Sequence, residues 1–247
     1  MSDRMLRVAA LAFVSMLAVP VAQAQWTGKG EAGISLASGN TDTKTGNAAI
    51  EFADTVGKWK HTFGFDGVYA SASAATTAQR WAIYEQSDFN FDPRNFAFGA
   101  ARFEDDRFSG FLYQATLSTG VGRHFIDSNS TKLTAAIGIG YKNFATRDVY
   151  DADGNLLEAH STDNQAIVRG TLTYEHKLTA TTTILDKFLI EAGSQNTFLQ
   201  NDLSLQVKIN TRLALAVGYS LRDNTNPPTG FKETDTLTTL NLVYEIK

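Results

Sequence analysis

The clearest regularity in this chain is a period of two. From Leu203 the odd positions read Leu203, Leu205, Val207 and Ile209, and the even ones Asp202, Ser204, Gln206, Lys208 and Asn210. After a short Asn210-Thr211 turn the pattern resumes with Leu213, Leu215, Val217, Tyr219 and Leu221 against Arg212, Ala214, Ala216, Gly218, Ser220 and Arg222. The last segment repeats it with Leu240, Leu242, Tyr244 and Ile246. Alternation of this kind marks strands with one apolar face and one polar or small face. It predicts about twelve strands, near 26–37, 43–55, 58–71, 79–92, 95–105, 111–125, 131–146, 163–177, 181–193, 199–210, 211–223 and 233–247. The faces blur only over Thr183–Ala192, where Asp186, Lys187 and Glu191 intervene.

The connections add a second pattern. Val56-Gly57, Asp92-Pro93-Arg94-Asn95, Ala180-Thr181 and Asn210-Thr211 are tight, whereas those around 72–78, 105–110, 147–162, 194–198 and 224–232 are longer and richer in Gly, Asn, Asp and Pro. Membrane barrels sort short periplasmic turns from longer external loops in this way. Trp59 and Tyr69 lie ten residues apart on one face, which a tilted strand converts to roughly 25 Å, the height of a lipid-facing band. Tyr113 and Phe125 bracket another strand, and Tyr141 and Tyr244 extend the set of expected interfacial aromatics. Apolar rows pointing inward from twelve strands would leave a space too wide to fill, so the rows must point outward into lipid. Closure then removes the edges that a membrane does not tolerate. The expected fold is an all-β, closed antiparallel transmembrane β-barrel.

The first residues follow different rules. Arg4 and Arg7 precede an apolar run, Val8 to Val21, and Ala22-Gln23-Ala24 is a small-x-small cleavage site. This reads as an export signal over 1–24, with the barrel domain over 25–247. Removing it takes Asp3, Arg4 and Arg7, and moves the formal charge from −4 to −5, which argues against a nucleic-acid partner. With no cysteine in the 247 residues, thiol catalysis, disulfides and lipoprotein anchoring are excluded.

Several motifs together resemble a bacterial family of unknown function whose members are described as salt-induced outer-membrane proteins. They are Ser38-Gly39-Asn40-Thr41-Asp42, Thr77-Ala78-Gln79-Arg80-Trp81, Phe96-Ala97-Phe98-Gly99 through Asp106-Arg107-Phe108-Ser109-Gly110-Phe111, Gly120-Val121-Gly122, Gly138-Ile139-Gly140-Tyr141, and Lys232-Glu233-Thr234-Asp235-Thr236 into Asn241-Leu242-Val243-Tyr244. The resemblance implies an outer-membrane location and a link to salt or osmotic stress, and no chemistry. One departure is the ending Tyr244-Glu245-Ile246-Lys247, where many barrel chains finish on an aromatic.

Candidate chemistry is sparse. Glu104-Asp105-Asp106-Arg107 at an external strand end, with His160 and Asp163 in a later loop, could activate water, but loop acids offset by an arginine are common. Asp151-Ala152-Asp153-Gly154-Asn155 has Leu156 where a calcium loop needs Gly, and reads as a turn. His61 and Ser87 both sit on apolar rows, as a lipid-face hydrolase would need, but nothing in the sequence places them together. His124 and His176 near strand ends are undiagnostic, and the Gly120-Val121-Gly122 glycines read as lumen positions that let the wall curve. The polar rows supply the expected lumen: Arg80, Tyr84, Gln86, Asp88, Gln206, Lys208, Arg212 and Arg222. Mixed charges there either pair and plug the interior or line a narrow path. The sequence therefore points to a monomeric, non-enzymatic barrel with no cofactor or metal, either a narrow passive pore or a structural envelope component. Its partners would be outer-membrane lipids, lipopolysaccharide and the barrel assembly machinery. The alternative is a barrel hydrolase built on the external acids.

Overall fold

The computed structural model describes residues 27–38, 43–72, 75–106, 109–151 and 153–246. The expected export signal, the Gly39-Asn40-Thr41-Asp42 motif and Arg107-Phe108 lie outside the described residues. Twelve of the described strands close into one antiparallel barrel. In chain order they are β1 (Thr27–Ser38), β2 (Thr43–Val56), β3 (Trp59–Ala72), β4 (Ala75–Asn90), β5 (Asn95–Asp106), β6 (Phe111–Asp127), β7 (Thr131–Thr146), β10 (Thr162–Lys177), β11 (Thr182–Gly193), β12 (Phe198–Lys208), β13 (Leu213–Asn224) and β14 (Thr234–Ile246). Each pairs with its chain neighbours, and β1 pairs with β14 from Gly28↔Ile246 to Ser38↔Thr236 to shut the ring. The remaining pair, β8 (Val149–Tyr150) and β9 (Leu156–Glu158), forms a small separate hairpin in the connection between β7 and β10.

The expected strands and the observed ones differ in three respects. β8 and β9 were read as loop, because two and three residues are too few to show a period. Arg212 belongs to the turn rather than to β13: Asn210 Oδ1 accepts from the Arg212 and Leu213 amides at 2.8 and 2.9 Å, which holds the chain in a reversal. The connection around 72–78 is not long, since β3 and β4 continue until Ala72 pairs with Ala75. Those expected around 105–110 and 194–198 shorten to 107–110 and 194–197, the same length as 91–94, because the strands extend into them.

Burial is inverted relative to a water-soluble protein. Leu117 and Ile139 are 67% and 69% exposed, and Val121, Ile137, Val168 and Val217 are also outward and open. Glu104 and Lys142, by contrast, are fully buried, with Gln114, Glu191 and Asn196 nearly so. Each such apolar side chain gains about 1.5–3 kcal/mol on leaving water, so lipid around the barrel is what makes the fold favourable. The blurred segment is explained by the same geometry. In β11, Lys187 and Glu191 point inward to acidic and basic partners, while Asp186 faces outward and accepts from Asn201 Nδ2 at 2.6 Å.

Candidate functional site: the barrel interior

Residues 57–58, 91–94, 128–130, 178–181 and 209–212 connect strands at the end where β1 starts and β14 finishes. By the loop-length rule for outer-membrane barrels this is the periplasmic end. Residues 147–161 and 225–233, the longest connections, lie at the opposite, external end.

The external half of the lumen is plugged. Phe198, at the start of β12, is fully buried, and three cations surround its ring: Arg102 and Arg222 with Cζ at 4.9 Å from the centroid, and Lys142 with Nζ at 5.0 Å. An aromatic ring attracts such cations, but three together would repel without acids. Glu104 supplies one. Its carboxylate accepts from Arg102 and from Arg222, and Arg80 lies 3.7 Å away. Arg80 also pairs with Asp66 at 2.6 Å, and Arg222 with Asp106 at 3.8 Å. Glu191 supplies the second, accepting from Lys142 at 3.3 Å and Thr116 at 3.2 Å. A third bridge crosses the lumen lower down, where Glu51 Oε2 accepts from Lys187 at 2.9 Å and Tyr84 at 2.6 Å.

Glycines make room for this filling. A Cβ at Gly122 would lie 2.1 Å from Phe96 Cζ, and one at Gly138 would lie 2.9 Å from Phe98 Cζ. Phe96 and Phe98 are buried inside the barrel, flat against the glycine stripe of β6 and β7. At Gly120 and Gly138 a Cβ would first meet neighbouring-strand carbonyls, Ile137 O and Thr119 O, each at 2.2 Å, so the closely curved wall and the rings both call for glycine. Likewise Gly64 vacates the space that the Tyr84 ring occupies, 2.0 Å from where its Cβ would stand.

External loops close over the plug. Asn196 Nδ2 donates to Asn224 Oδ1 at 2.9 Å, Gln165 Nε2 donates to the Asn196 carbonyl at 2.7 Å, and Glu158 accepts from the Thr229 amide at 3.0 Å. Gly110, at φ +76°, lets the Phe231 ring lie against its backbone. A pocket of about 250 Å³ remains beneath Pro227 and Pro228. Below the plug, a larger cavity of about 510 Å³ occupies the lumen, reaching to Lys60, Asp88 and His124 near the periplasmic end.

The expected lumen residues separate into groups. Arg80, Tyr84, Gln86 and Asp88 line the larger cavity, and Arg222 belongs to the plug. Gln206 is half-buried on β12 opposite Ala216. Lys208 is exposed at the periplasmic rim, 3.6 Å from Glu245, and Arg212 is exposed in its turn, outside the lumen. Of the expected interfacial aromatics, Trp59, Tyr69, Phe125, Tyr141 and Tyr244 stand exposed on the outer wall. Tyr113 is half-buried there, its hydroxyl donating to Asn143 Oδ1 at 2.8 Å and its ring stacked on Phe103.

The acidic cluster is split by the strand pleat. Glu104 and Asp106 face the lumen, whereas Asp105 faces outward, 3.7 Å from Arg147. His160 and Asp163 engage Asp148 and Ser161 instead. No external carboxylate pair forms among the described residues, so the hydrolase alternative loses its constellation. The Asp151 loop is the expected turn: its carboxylate accepts from the Asn155 side chain and the Asn155 and Asp153 amides, which holds its pKa below the usual range, and Gly154 takes φ +84°.

His61 and Ser87, which nothing in the sequence joined, are cross-strand partners in the β3–β4 ladder. His61 Nδ1 lies 2.7 Å from Ser87 Oγ, which donates to Glu85, and His61 stacks on Trp59 at 5.9 Å. A carboxylate on a lipid-facing wall is costly unless paired. The trio satisfies itself, with Ser87 and Glu85 buried under their neighbours.

An outward apolar wall, a polar interior and closed strand pairing define an outer-membrane β-barrel of the porin type. The chain belongs to the family described as "Protein of unknown function, DUF481", which matches residues 30–246. It is 26% identical over 238 residues to "Uncharacterized protein YdiY" of Escherichia coli strain K12, covering 91% of this chain and 85% of that one. Among solved structures it is similar to the NanC porin (TM-score 0.52, 11% identity, 89% of this chain and 100% of that one). It is also similar to the translocator domain of the autotransporter NalP from Neisseria meningitidis (TM-score 0.51, 12% identity, 98% and 94%). Both likenesses are in fold.

Proposed function

We propose that this barrel is a narrow passive pore of the outer membrane, shut at rest in its external half. One observation favours a pore over a purely structural barrel: a cavity of about 510 Å³, lined by charged and apolar side chains together, lies below the plug. A scaffold has no need to retain such a space. What closes the path is side chains and loops, held by ion pairs rather than by backbone. The salt- and osmotic-stress role rests on the family resemblance alone, because the plug's ion pairs are buried and added salt screens buried pairs little. In this reading the barrel assembly machinery inserts the chain, lipopolysaccharide surrounds its external half, and β1–β14 closure lets it work as a monomer, without cofactor or catalysis.

Planar-bilayer recording tests the proposal. The native barrel should show small, infrequent openings, and Phe198→Ala, which removes the ring that gathers the plug cations, should raise open time and conductance several-fold. Folded Phe198→Ala protein that conducts no more than lipid alone would leave the structural role as the better account.

A further inference from the structure

We propose that Arg169 anchors an oxyanion-binding subsite on the cavity wall, which takes the carboxylate or phosphate group of a small solute. The proposal deepens the pore reading by naming a solute class, and rests on that reading only for the solute's passage, not for its binding.

The lumen arginines are not alike. Arg80, Arg102 and Arg222 each lie within 4.0 Å of a carboxylate. Arg169, on β10, has no carboxylate within that distance among the described residues. The nearest in the ladder is Glu191, directly opposite on β11, but its Oε2 is already taken by Lys142 and Thr116. Arg169 instead reaches across the lumen to β4, where Nη2 donates to the neutral Gln86 Oε1 at 3.2 Å, and its guanidinium lies over the Phe98 ring at 5.1 Å. Its other terminal nitrogen, Nη1, has no hydrogen-bond partner, as is also true of Nη1 in Arg80 and Arg102. Neighbouring atoms cover the Arg169 Nη1, so a solute would reach it only by turning the guanidinium toward the cavity. A buried charged donor left without an acceptor is expensive, and a planar guanidinium fork is the shape that receives a carboxylate or phosphate in two parallel hydrogen bonds.

Acids and bases nearly balance over the cavity as a whole, so the preference for an anion is local to the Arg169 guanidinium. Asp88 shares the cavity wall, but its Oδ1 accepts from Gln86 Nε2 and Lys60 stands opposite it in the β3–β4 ladder, so those two charges offset each other. His124, whose Nδ1 meets Thr134 Oγ1 at 2.9 Å, and the hydroxyls of Thr171 and Thr173 complete a wall with donors to spare. Phe96 and Phe98 provide a flat, dry shelf on which the Arg169 cation is held still. The cavity reaches this shelf from the periplasmic end, while the Glu104 cluster closes it from outside.

The test is a titration of the folded, full-length barrel in detergent, labelled with ¹⁵N-arginine, observing guanidinium Nε–H resonances at constant ionic strength. Acetate and inorganic phosphate are the probes and chloride is the comparison ion. The resonance lost in Arg169→Gln should move saturably with acetate, phosphate or both. Arg169→Lys, which keeps the charge without the fork and guards against misfolding, should bind at least about tenfold more weakly when followed by ¹³C-methyl threonine shifts at Thr171 and Thr173. Saturation by acetate alone assigns a carboxylate ligand, and by phosphate alone a phosphate. A resonance that neither probe moves, or that chloride moves equally, overturns the subsite. Saturable binding in a barrel that never conducts would defeat the pore reading and leave the subsite standing, and conductance without binding would do the reverse.

Discussion

Glu104 is the residue on which the plug depends, and its neutralisation gives the sharpest test of the interior. The side chain is fully buried and has three arginines about it, Arg102, Arg222 and, at 3.7 Å, Arg80. Glu104→Gln preserves shape and one acceptor oxygen but removes the charge that holds the three guanidiniums around Phe198. Asp66 still serves Arg80 and Asp106 still lies 3.8 Å from Arg222, so Arg102 is the group left without a carboxylate. Removing one partner of a buried pair costs about 3–5 kcal/mol. For a domain of this size each kcal/mol moves Tm by about 2–4 °C, so the midpoint should fall by about 6–20 °C. Thermal unfolding of native and variant barrels in the same detergent, at one scan rate and followed by circular dichroism, measures it. Arg222→Gln should cost less, since Glu104 keeps two arginines, and the double variant should lose less than the sum of the two, because both changes act on one network. A Glu104→Gln midpoint within 2 °C of the native one would mean that water, not this carboxylate, carries the compensation, and the plug would have to be reassigned.

Two further predictions follow from packing and from the loops. Gly64→Ala places a methyl carbon 2.0 Å from Tyr84 Cζ and should destabilise by about 1–3 kcal/mol, while the same change in a Tyr84→Ala background should cost far less, as read by the same melts. At the external mouth, the Thr229 amide and hydroxyl hold the Glu158 pKa below its ordinary range. A depressed carboxylate contributes when ionised, so the latch is intact at neutral pH and is lost as pH falls through the lowered folded-state value, on the acid side of the ordinary glutamate range. The Thr229 amide resonance should therefore titrate in that acid range and become flat with pH in Glu158→Gln. An unchanged Thr229 profile in the variant would refute the latch.

The membrane wall could be read along the chain because it depends on one property of each residue taken in alternation. Leu203-x-Leu205-x-Val207 and Leu213-x-Leu215-x-Val217 face lipid whatever stands on the neighbouring strand. The interior could not be read this way, since its meaning lies in partners that sequence separation hides. Arg222 meets Glu104 across 118 residues and Lys187 meets Glu51 across 136. Phe198, at the hinge between a connection and a strand, gave no periodic signal to distinguish a lumen hub from a wall residue. Gly120 and Gly122 could be assigned to the lumen, but that they make room for Phe96 and Phe98 is a steric fact of the neighbouring strand, β5.

What the amino-acid order determined by itself is thus the solvent of this protein. Period-two rows demand a closed wall in lipid, because that arrangement shelters both the apolar rows and the backbone. What only the tertiary structure decided is the state of the space inside: the register set by strand pairing chooses which charges meet, and so where the lumen is shut, where it is open, and that Arg169 has no carboxylate within 4.0 Å among the described residues.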